Sequence, residues 1–469
     1  MNKIPATDVT PAKDDTIPLY KKREKIYVRE IQGVFQKLRT WTLWALMLAY
    51  FGVAWISIDG QQLVYFDLPA RQFHIFGITF WPQDFVLLSW ALIICAFGLF
   101  TITNLAGRIW CGYTCPQSAW SLIYMWVEEK VEGTRSQRMK LDKEPMSGSK
   151  FSKKAVKHII WLFIAFWTGL TFVGYFSPIR ELVPELLTLG DVNGWAIFWM
   201  GFFTVATYVN AGWMREQVCI YMCPYARFQS VMYDSDTLAV SYDFNRGEPR
   251  GKGSRKEAAA SDKGDCVDCS MCVQVCPTGI DIRDGLQYQC IGCALCVDAC
   301  DSIMEKINKP KGLIRYTTEN ELAGGKLHVF RPRFFGYSFA LITMMTLLAY
   351  AVFSRTPFEL DIERDRGRLY QVTVNDTITN AYTLKLMNMS NEPHEYLISV
   401  EGLNGVNIIG KTDWALDVNQ LKEVTLNLEI DPEVTKTKAS KTDIEFVITD
   451  ATTGEEVTRE ESRFIAPRT

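Results

Sequence analysis

Histidine is scarce in this chain, four in 469 residues. No two share an apolar run at helical spacing, so paired haem ligation within a membrane is not indicated. Neither charge sign dominates: 50 Lys and Arg stand against 53 Asp and Glu, which excludes a general nucleic-acid binder. There is no phosphate loop, dinucleotide fingerprint or catalytic triad. Thirteen cysteines are too sparse for a disulfide-stapled secreted scaffold, and none follows Cys300. What abounds is apolar: hydrophobic residues make up 48% and aromatics 13%, including 14 Trp. That excludes intrinsic disorder for most of the chain, and a simple soluble enzyme.

Five apolar runs stand out: Leu38–Ile58, Phe85–Thr103, Ile159–Phe176, Trp195–Ala211 and Phe335–Phe353. Each is near the about 17–25 residues that span a bilayer, with Arg39 at one edge as their one charge. Trp41, Trp44, Trp55, Trp161 and Trp195 lie near run ends, as interfacial anchors do. The first run starts late, is long and lacks a small-residue cleavage site, so it reads as a retained anchor rather than a signal peptide. Lys and Arg crowd residues 1–37 and 104–157, whereas loops 59–84 and 177–194 carry only Arg71 and Arg180. The positive-inside rule therefore predicts a cytoplasmic N-terminus and an exported C-terminal segment. The cysteines agree. All but Cys95 fall in or beside segments assigned to the cytoplasm, and the exported segment has none. Residues 1–20 read as a disordered tail, 132–157 as a cytoplasmic loop and 245–264 as a linker.

Residues 266–300 carry the most specific pattern. Cys266-x2-Cys269-x2-Cys272-x3-Cys276-Pro277 precedes Cys290-x2-Cys293-x2-Cys296-x3-Cys300, the spacing of a bacterial two-cluster ferredoxin. Three thiolates in one loop cap three corners of a cubane, and the fourth comes from the other half. Cluster one is assigned to Cys266, Cys269, Cys272 and Cys300, and cluster two to Cys290, Cys293, Cys296 and Cys276. Paired zinc sites would not need triplets of closely spaced Cys. Asp301 stands where the first half has Pro277, a position that does not ligate. The turns Thr278-Gly279-Ile280-Asp281 and Ile291-Gly292-Cys293 fit two symmetric halves.

A second cysteine pattern is repeated. Cys111-Gly112-Tyr113-Thr114-Cys115-Pro116 follows the second run and Cys219-Ile220-Tyr221-Met222-Cys223-Pro224 the fourth, both reading C-x-Y-x-C-P. Asn104 and Arg108 are echoed by Asn210 and Arg215, and a short apolar helix follows each motif (Gln117–Val127, Ala226–Tyr233). Pro at a first helical position makes Cys115 and Cys223 expected N-caps. The helix N-terminus, with Arg108, Arg215 and Arg227, is expected to depress their pKa values. Packed about a pseudo-twofold axis, the four thiols would converge into a site suited to Cu(I), an iron–sulfur centre or Zn(II). The plainer reading is four small core residues beside Pro-capped helices.

Other candidates are weaker. Cys95 reads as a small apolar residue. His74, His158, His328 and His394 read as structural. Met387 and Met389 share one face of a predicted strand, where core packing outweighs soft-metal ligation. Residues 360–469 alternate in polarity. Strands are predicted at Leu369–Val374, Tyr382–Asn388, Tyr396–Glu401, Val406–Ile409, Glu423–Ile430, Ile444–Thr449 and Glu456–Phe464, with turns at Asn391-Glu392-Pro393, Asp431-Pro432 and Thr453-Gly454. Such strands suggest an immunoglobulin-like sandwich without the antibody disulfide. Residues 354–469 hold 21 acidic against 13 basic residues, and such a module more often docks than catalyses.

The expected fold is a polytopic α-helical membrane protein with five transmembrane helices, a cytoplasmic dicluster ferredoxin-like α+β domain and a C-terminal all-β immunoglobulin-like sandwich. Its expected parts are a cytoplasmic tail (1–37), a four-helix membrane region with both C-x-Y-x-C-P motifs (38–234), a cytoplasmic segment (235–334) with the ferredoxin domain at about 258–310, a fifth transmembrane helix (335–353) and a periplasmic sandwich (360–469). This ordered combination, over residues 20–469, resembles the FixG/CcoG/RdxA family, cytochrome c oxidase accessory proteins of Gram-negative bacteria. The resemblance implies a multi-pass inner-membrane protein serving biogenesis of a C-family haem-copper oxidase. It implies two [4Fe-4S] clusters as the electron supply, and Cu(II) reduced to Cu(I) at the cytoplasmic face on Cys111, Cys115, Cys219 and Cys223. Implied partners are membrane lipid, copper ions, oxidase assembly proteins or a copper exporter, and an unidentified cytoplasmic electron donor; nucleic acid is not among them. Two other classes remain open on the residues alone: a quinol-linked membrane ferredoxin subunit and a non-catalytic assembly scaffold.

Overall fold

The structure is a computed structural model describing residues 25–467 except 59, 189, 191, 252–263, 329–330, 357, 366, 374–375, 391 and 432–440. The expected tail (1–20), the middle of the 245–264 linker, and Val374, Asn391 and Pro432 lie outside the described residues. The chain divides into two compact units. One joins the residues up to Ile56 with Ala96–Phe339; the other joins Ser57–Cys95 with Ala340–Thr469.

In the first unit, helix Val34–Val53 packs Leu43 and Met47 on Ala119 of helix Pro116–Glu132. Helix Gly148–Val173 packs Trp161 on Tyr124, and each side chain also bonds the other residue's carbonyl. Below this contact lies a buried charge knot. Glu128, 1% exposed, meets Arg138, Arg215, Lys157 and Lys25 within 3.6 Å. Burial works to raise the Glu128 carboxyl, but Arg215, Lys25, Lys157 and Arg138 outweigh it and hold the pKa down at about 2.

Helices Pro82–Ala106, Gly148–Val173 and Pro332–Phe353 are long and apolar enough to cross a membrane. The other two expected runs are built differently. Val34–Val53 spans 20 residues but begins with Lys37 and Arg39 in its first two turns, and Arg39 is buried. Gly194–Thr207 is an α-helix of 14 residues that widens into a π-helical segment over Tyr208–Met214. The π-turn lengthens the peptide loop just before the second cysteine motif, a feature common at functional sites.

The ferredoxin-like part has short helices Met271–Gln274 and Leu295–Lys306, each following a Cys triplet's first two thiols. Strands Ala239–Tyr242 and Ile314–Thr317 pair antiparallel on either side of the Cys region in sequence, so this part reaches beyond the expected 258–310. Val240, Tyr242, Ile282, Val297, Met304 and Ile314 form its core. Asp301 does not ligate; its carboxylate accepts the Gly312 amide at 2.9 Å.

The second unit contains a sandwich of two antiparallel sheets. One orders strands Val406–Ile409, Leu421–Ile430, Ile378–Asn388 and Phe358–Arg364, with Gln371–Val372 beside Ile378–Asn388. The other orders Asp413–Leu416, His394–Glu401, Lys441–Asp450 and Glu456–Ile465. Alternating residues such as Tyr382, Leu384, Leu386, Ile398, Leu426, Phe446 and Ile448 fill the space between the sheets. Two strands escape the sequence reading, Phe358–Arg364 and Asp413–Leu416. So does a meander of Val64–Asp67, Gln72–Ile75 and Ile78–Phe80 in what reads as a loop. Met387 and Met389 receive nitrogen donors: Gln83 Nε2 lies 3.3 Å from one Sδ and Arg355 Nη2 lies 3.2 Å from the other.

Candidate functional site

The ferredoxin loops are built alike. Asp268 and Ser270 in the first half, and Gly292 and Ala294 in the second, all adopt left-handed backbone with φ between 50° and 64°. Each pair brackets the middle cysteine of its triplet, Cys269 or Cys293. This sterically costly curl turns successive amides inward around an anion, and the Gly292 amide faces Cys290 Sγ at 3.5 Å. Cys266, Cys269, Cys272 and Cys300 line one small cavity. Cys272, Cys276, Cys290, Cys293 and Cys296 line a second. Each cavity thus gathers three cysteines of one half with at least one from the other, the arrangement a crossed pair of quartets requires.

Burial pushes the thiols of Cys272, Cys290 and Cys300 up to about 12. Thiolates in so dry a cradle need iron to displace their protons. Among the described residues, no group of three or more His, Cys, Asp or Glu is spaced for a single metal ion. A tetrahedral zinc with Zn–S near 2.3 Å needs sulfurs only about 3.8 Å apart, whereas a cubane spreads its four ligands wider. Eight cysteines lining two small cavities, in the spacing of a two-cluster ferredoxin, are a donor set that fits [4Fe-4S] clusters. Which thiols hold each cluster remains our assignment from these cavities.

The C-x-Y-x-C-P motifs repeat as structure. Cys115 and Cys223 occupy the N-caps of Pro116–Glu132 and Pro224–Met232, with Pro at the first helical position. Their amides close matching five-residue turns, Cys115 N to Trp110 O at 2.9 Å and Cys223 N to Val218 O at 2.8 Å. The four thiols lie near enough to influence one another electrostatically, but among the described residues they are not spaced to hold one metal ion. Burial, and then the neighbouring Cys115, Cys219 and Cys223, push Cys111 up to about 12, with Arg108 opposing. Cys219 is pushed up to about 11, by burial first and then by Cys115 and Cys223. At these two thiols desolvation outweighs the nearby guanidinium.

The two arginines of the repeat also part ways. Arg108 donates to the carbonyls of Cys290 and Ala226 at 3.2 and 2.7 Å, tying the motif to the second cluster loop. Arg215 turns away to Glu128 at 3.1 Å. Gly112 lies so close to that loop that a Cβ there would stand 2.9 Å from Cys293 Cα. The Tyr113 hydroxyl donates to the Cys293 carbonyl, and Cys111 packs on the group containing Ile291 and Cys293. The thiol quartet and the second cluster cradle are therefore direct neighbours.

A 4Fe-4S dicluster domain matches residues 214–319. An Ig-like fold found at the C-terminus of FixG matches residues 348–467. The nitrogen fixation protein FixG of Rhizobium meliloti (strain 1021) is 38% identical over 428 residues, covering 82% of this chain and 81% of that protein. The chain belongs to the FixG/RdxA family. Protein RdxB of Cereibacter sphaeroides is 39% identical, covering 84% of this chain and 85% of its own. A methylamine utilization ferredoxin-type protein, MauN of Methylorubrum extorquens, is 25% identical over 42% of this chain and 54% of its own. Among solved structures, a FixG-related protein from Vibrio parahaemolyticus is 31% identical, covers 23% of this chain and 95% of its own, and has a TM-score of 0.21.

This FixG/RdxA-type chain is a membrane ferredoxin-like oxidoreductase with 4Fe-4S clusters. Several residues shaping its site carry no motif. Gln229 is fully buried, and its amide points at Cys111 Sγ from 3.7 Å. Arg39, distant in sequence, lies near enough to the Cys293 thiol to oppose the effect of burial on it. The Phe35 and Gln36 amides bond the Asp298 carboxylate at 3.3 and 2.8 Å, fastening the start of helix Val34–Val53 to helix Leu295–Lys306. The histidines stand apart from the thiols: His158 meets the Tyr208 hydroxyl at 2.8 Å, His74 meets Thr79 at 2.9 Å and His394 meets Asp450 at 2.9 Å. Cys95, exposed on its helix, joins neither cradle nor quartet.

Proposed function

We propose that this protein is a cupric reductase of the inner membrane serving biogenesis of a C-family haem-copper oxidase. The observation that carries the reading is the contact of the thiol quartet with the second cluster cradle, through Gly112 and Cys293. Electron tunnelling falls steeply with distance, so a thiol-bound ion there is placed for single-electron delivery. Bound [4Fe-4S] clusters supply one-electron storage. The two Cys quartets would hold them in buried cradles, with the Gly292 amide donating to Cys290 Sγ. Copper is the substrate. Cu(II) gains one electron, and the soft product Cu(I) is matched by Cys111, Cys115, Cys219 and Cys223. A site that must release its ion has no need of the closed spacing of a structural site. Gln229 and Arg108 orient this corner, and Cys111 and Cys219 give up protons as metal binds.

The positive-inside pattern supports five spans, with the N-terminus and both cysteine sites cytoplasmic and the sandwich periplasmic. The partners in this reading are oxidase assembly proteins or a copper exporter. The test is anaerobic. The detergent-purified protein is reduced with dithionite, freed of excess reductant and given Cu(II) with a Cu(I)-specific chelator. Cluster colour should return in step with Cu(I) formation, and Cys115→Ser and Cys223→Ser should slow both at least tenfold. Normal clusters with Cu(I) formation indifferent to both substitutions would overturn the proposal.

A further inference from the structure

One cavity of the first unit belongs to neither cysteine site. It has a volume of about 260 Å³ and lies between the segment Val28–Ile31, helix Val34–Val53, helix Pro116–Glu132 and the second cluster loop. Its size is close to the lower end of small-molecule pockets, about 300 Å³. Its walls are largely apolar, with Leu43, Leu122, Ile123 and Met125 among them, and Trp44 and Trp126 line it with largely exposed side chains. The two exposed Trp side chains give the opening an amphipathic rim, apolar body and polar tip, of the kind found at the headgroup level of a bilayer.

Three lining residues carry buried polar atoms without a partner. Arg39 is 3% exposed, yet its Nη1 has no hydrogen-bond partner among the described residues, and neither do Arg138 Nε and Gln36 Oε1. A buried unpaired guanidinium nitrogen costs several times an ordinary hydrogen bond, so it calls for a ligand. The atoms form a mixed set, two donors and one acceptor, in an apolar slot. Glu129 also lines the cavity, with Glu30 beside it. Burial, and then that second carboxylate, push the Glu129 carboxyl up, with Arg138 and Lys130 opposing. The far wall includes Pro277 and Leu295, the sequence neighbours of Cys276 and Cys296.

We infer that this cavity binds the headgroup of a lipid-soluble hydroquinone, and that this hydroquinone is the electron donor to the clusters. Arg39 and Arg138 donate to its ring oxygens, and Gln36 accepts from a ring hydroxyl. Oxidation to the quinone breaks two O–H bonds and yields two electrons and two protons. Both electrons enter at the second cluster, beside Cys276 and Cys296, and one passes on to the first. The protons go to the Glu30–Glu129 carboxylates and on to water. An anionic lipid phosphate fits less well, since it offers Gln36 Oε1 no proton and is repelled by Glu30 and Glu129. The inference rests on the clusters being the electron store of the proposed reductase, and it replaces the expected cytoplasmic donor with a membrane one.

The test uses the full-length protein in detergent and an azido derivative of decylubiquinone. Photolabelling should fall on peptides spanning residues 28–44 and 122–138. Binding, read by quenching of tryptophan fluorescence, should weaken at least tenfold in Arg39→Gln and in Gln36→Leu. Decylubiquinol should bleach the cluster absorbance of the unaltered protein anaerobically and fail to do so in Arg39→Gln. Gln36 is only half-buried, so its variant keeps the test decisive should Arg39→Gln lose its clusters. Labelling elsewhere, or unchanged binding in both variants, would overturn the inference. So would a phosphatidylglycerol requirement that the variants abolish while quinone binding persists. Copper reduction started with dithionite bypasses this cavity, so the two readings fail separately. Lost quinone binding leaves that rate intact, and a Cys115→Ser protein that still makes Cu(I) leaves quinone binding intact.

Discussion

Cys111 and Cys219 carry their protons at neutral pH, since burial pushes them to about 12 and 11. Metal binding must expel those protons, so apparent Cu(I) affinity should rise about tenfold per pH unit for each such thiol that binds. Competition against a Cu(I) chelator at pH 6, 7 and 8 measures the slope, and a flat profile would show thiolates already formed. Glu128 behaves in the opposite sense. Its folded-state pKa lies at about 2, below the ordinary 4.5. Its contribution to stability is therefore complete above about pH 4.5 and is lost as pH falls through 2. Glu128→Ala leaves Arg138 and Arg215 buried without their shared counter-charge, which should cost about 3–5 kcal/mol, seen as a lower melting temperature in detergent. None of this was legible from residue types. A guanidinium shortly before a Cys–Pro pair reads as an activator in both repeats, yet Arg215, with φ of 45°, turns to Glu128 instead.

At the scale of elements, the joint between the first C-x-Y-x-C-P turn and the second cluster loop is where chemistry depends on packing. Gly112→Ala places a methyl 2.9 Å from Cys293 Cα and 3.0 Å from Ile291 O. Both are loop backbone and neither yields easily, so the loops must separate. Copper reduction should fall at least tenfold with cluster absorbance kept, whereas an unchanged rate would place the electron path elsewhere. The cluster ligands were legible because a cubane draws three of its four thiols from one short loop. The repeated motif was legible because Pro after Cys fixes a helix start. Strand Phe358–Arg364 alternates clearly, but it begins within the margin left after the fifth apolar run. Asp413–Leu416 spans only 4 residues, too short for a period to register. The meander at 64–80 hides behind left-handed turns at Arg71 and Phe76, which break alternation in a stretch otherwise read as a loop.

For the whole molecule, the sidedness read from Lys and Arg is open to direct trial. Thr453→Cys, in an exposed sandwich turn, should react with a membrane-impermeant maleimide in intact spheroplasts, while Lys140→Cys should react only after lysis; the reverse pattern would invert the proposed topology. The order of the parts is readable along the chain: apolar runs, two cysteine pairs, eight ferredoxin cysteines and a terminal β-module. Length, period and ligand spacing are local properties, and a linear reading captures them. Folding in three dimensions is what brings the first cysteine pair against the second cluster loop, sets Gln229 and Arg108 beside it, and leaves Arg39, Gln36 and Arg138 with unpaired polar atoms around one cavity. Those facts depend on which distant segments share a space, and on whether a buried charge finds a partner there. A buried polar atom's energy is set by what surrounds it in space, and sequence position does not encode that.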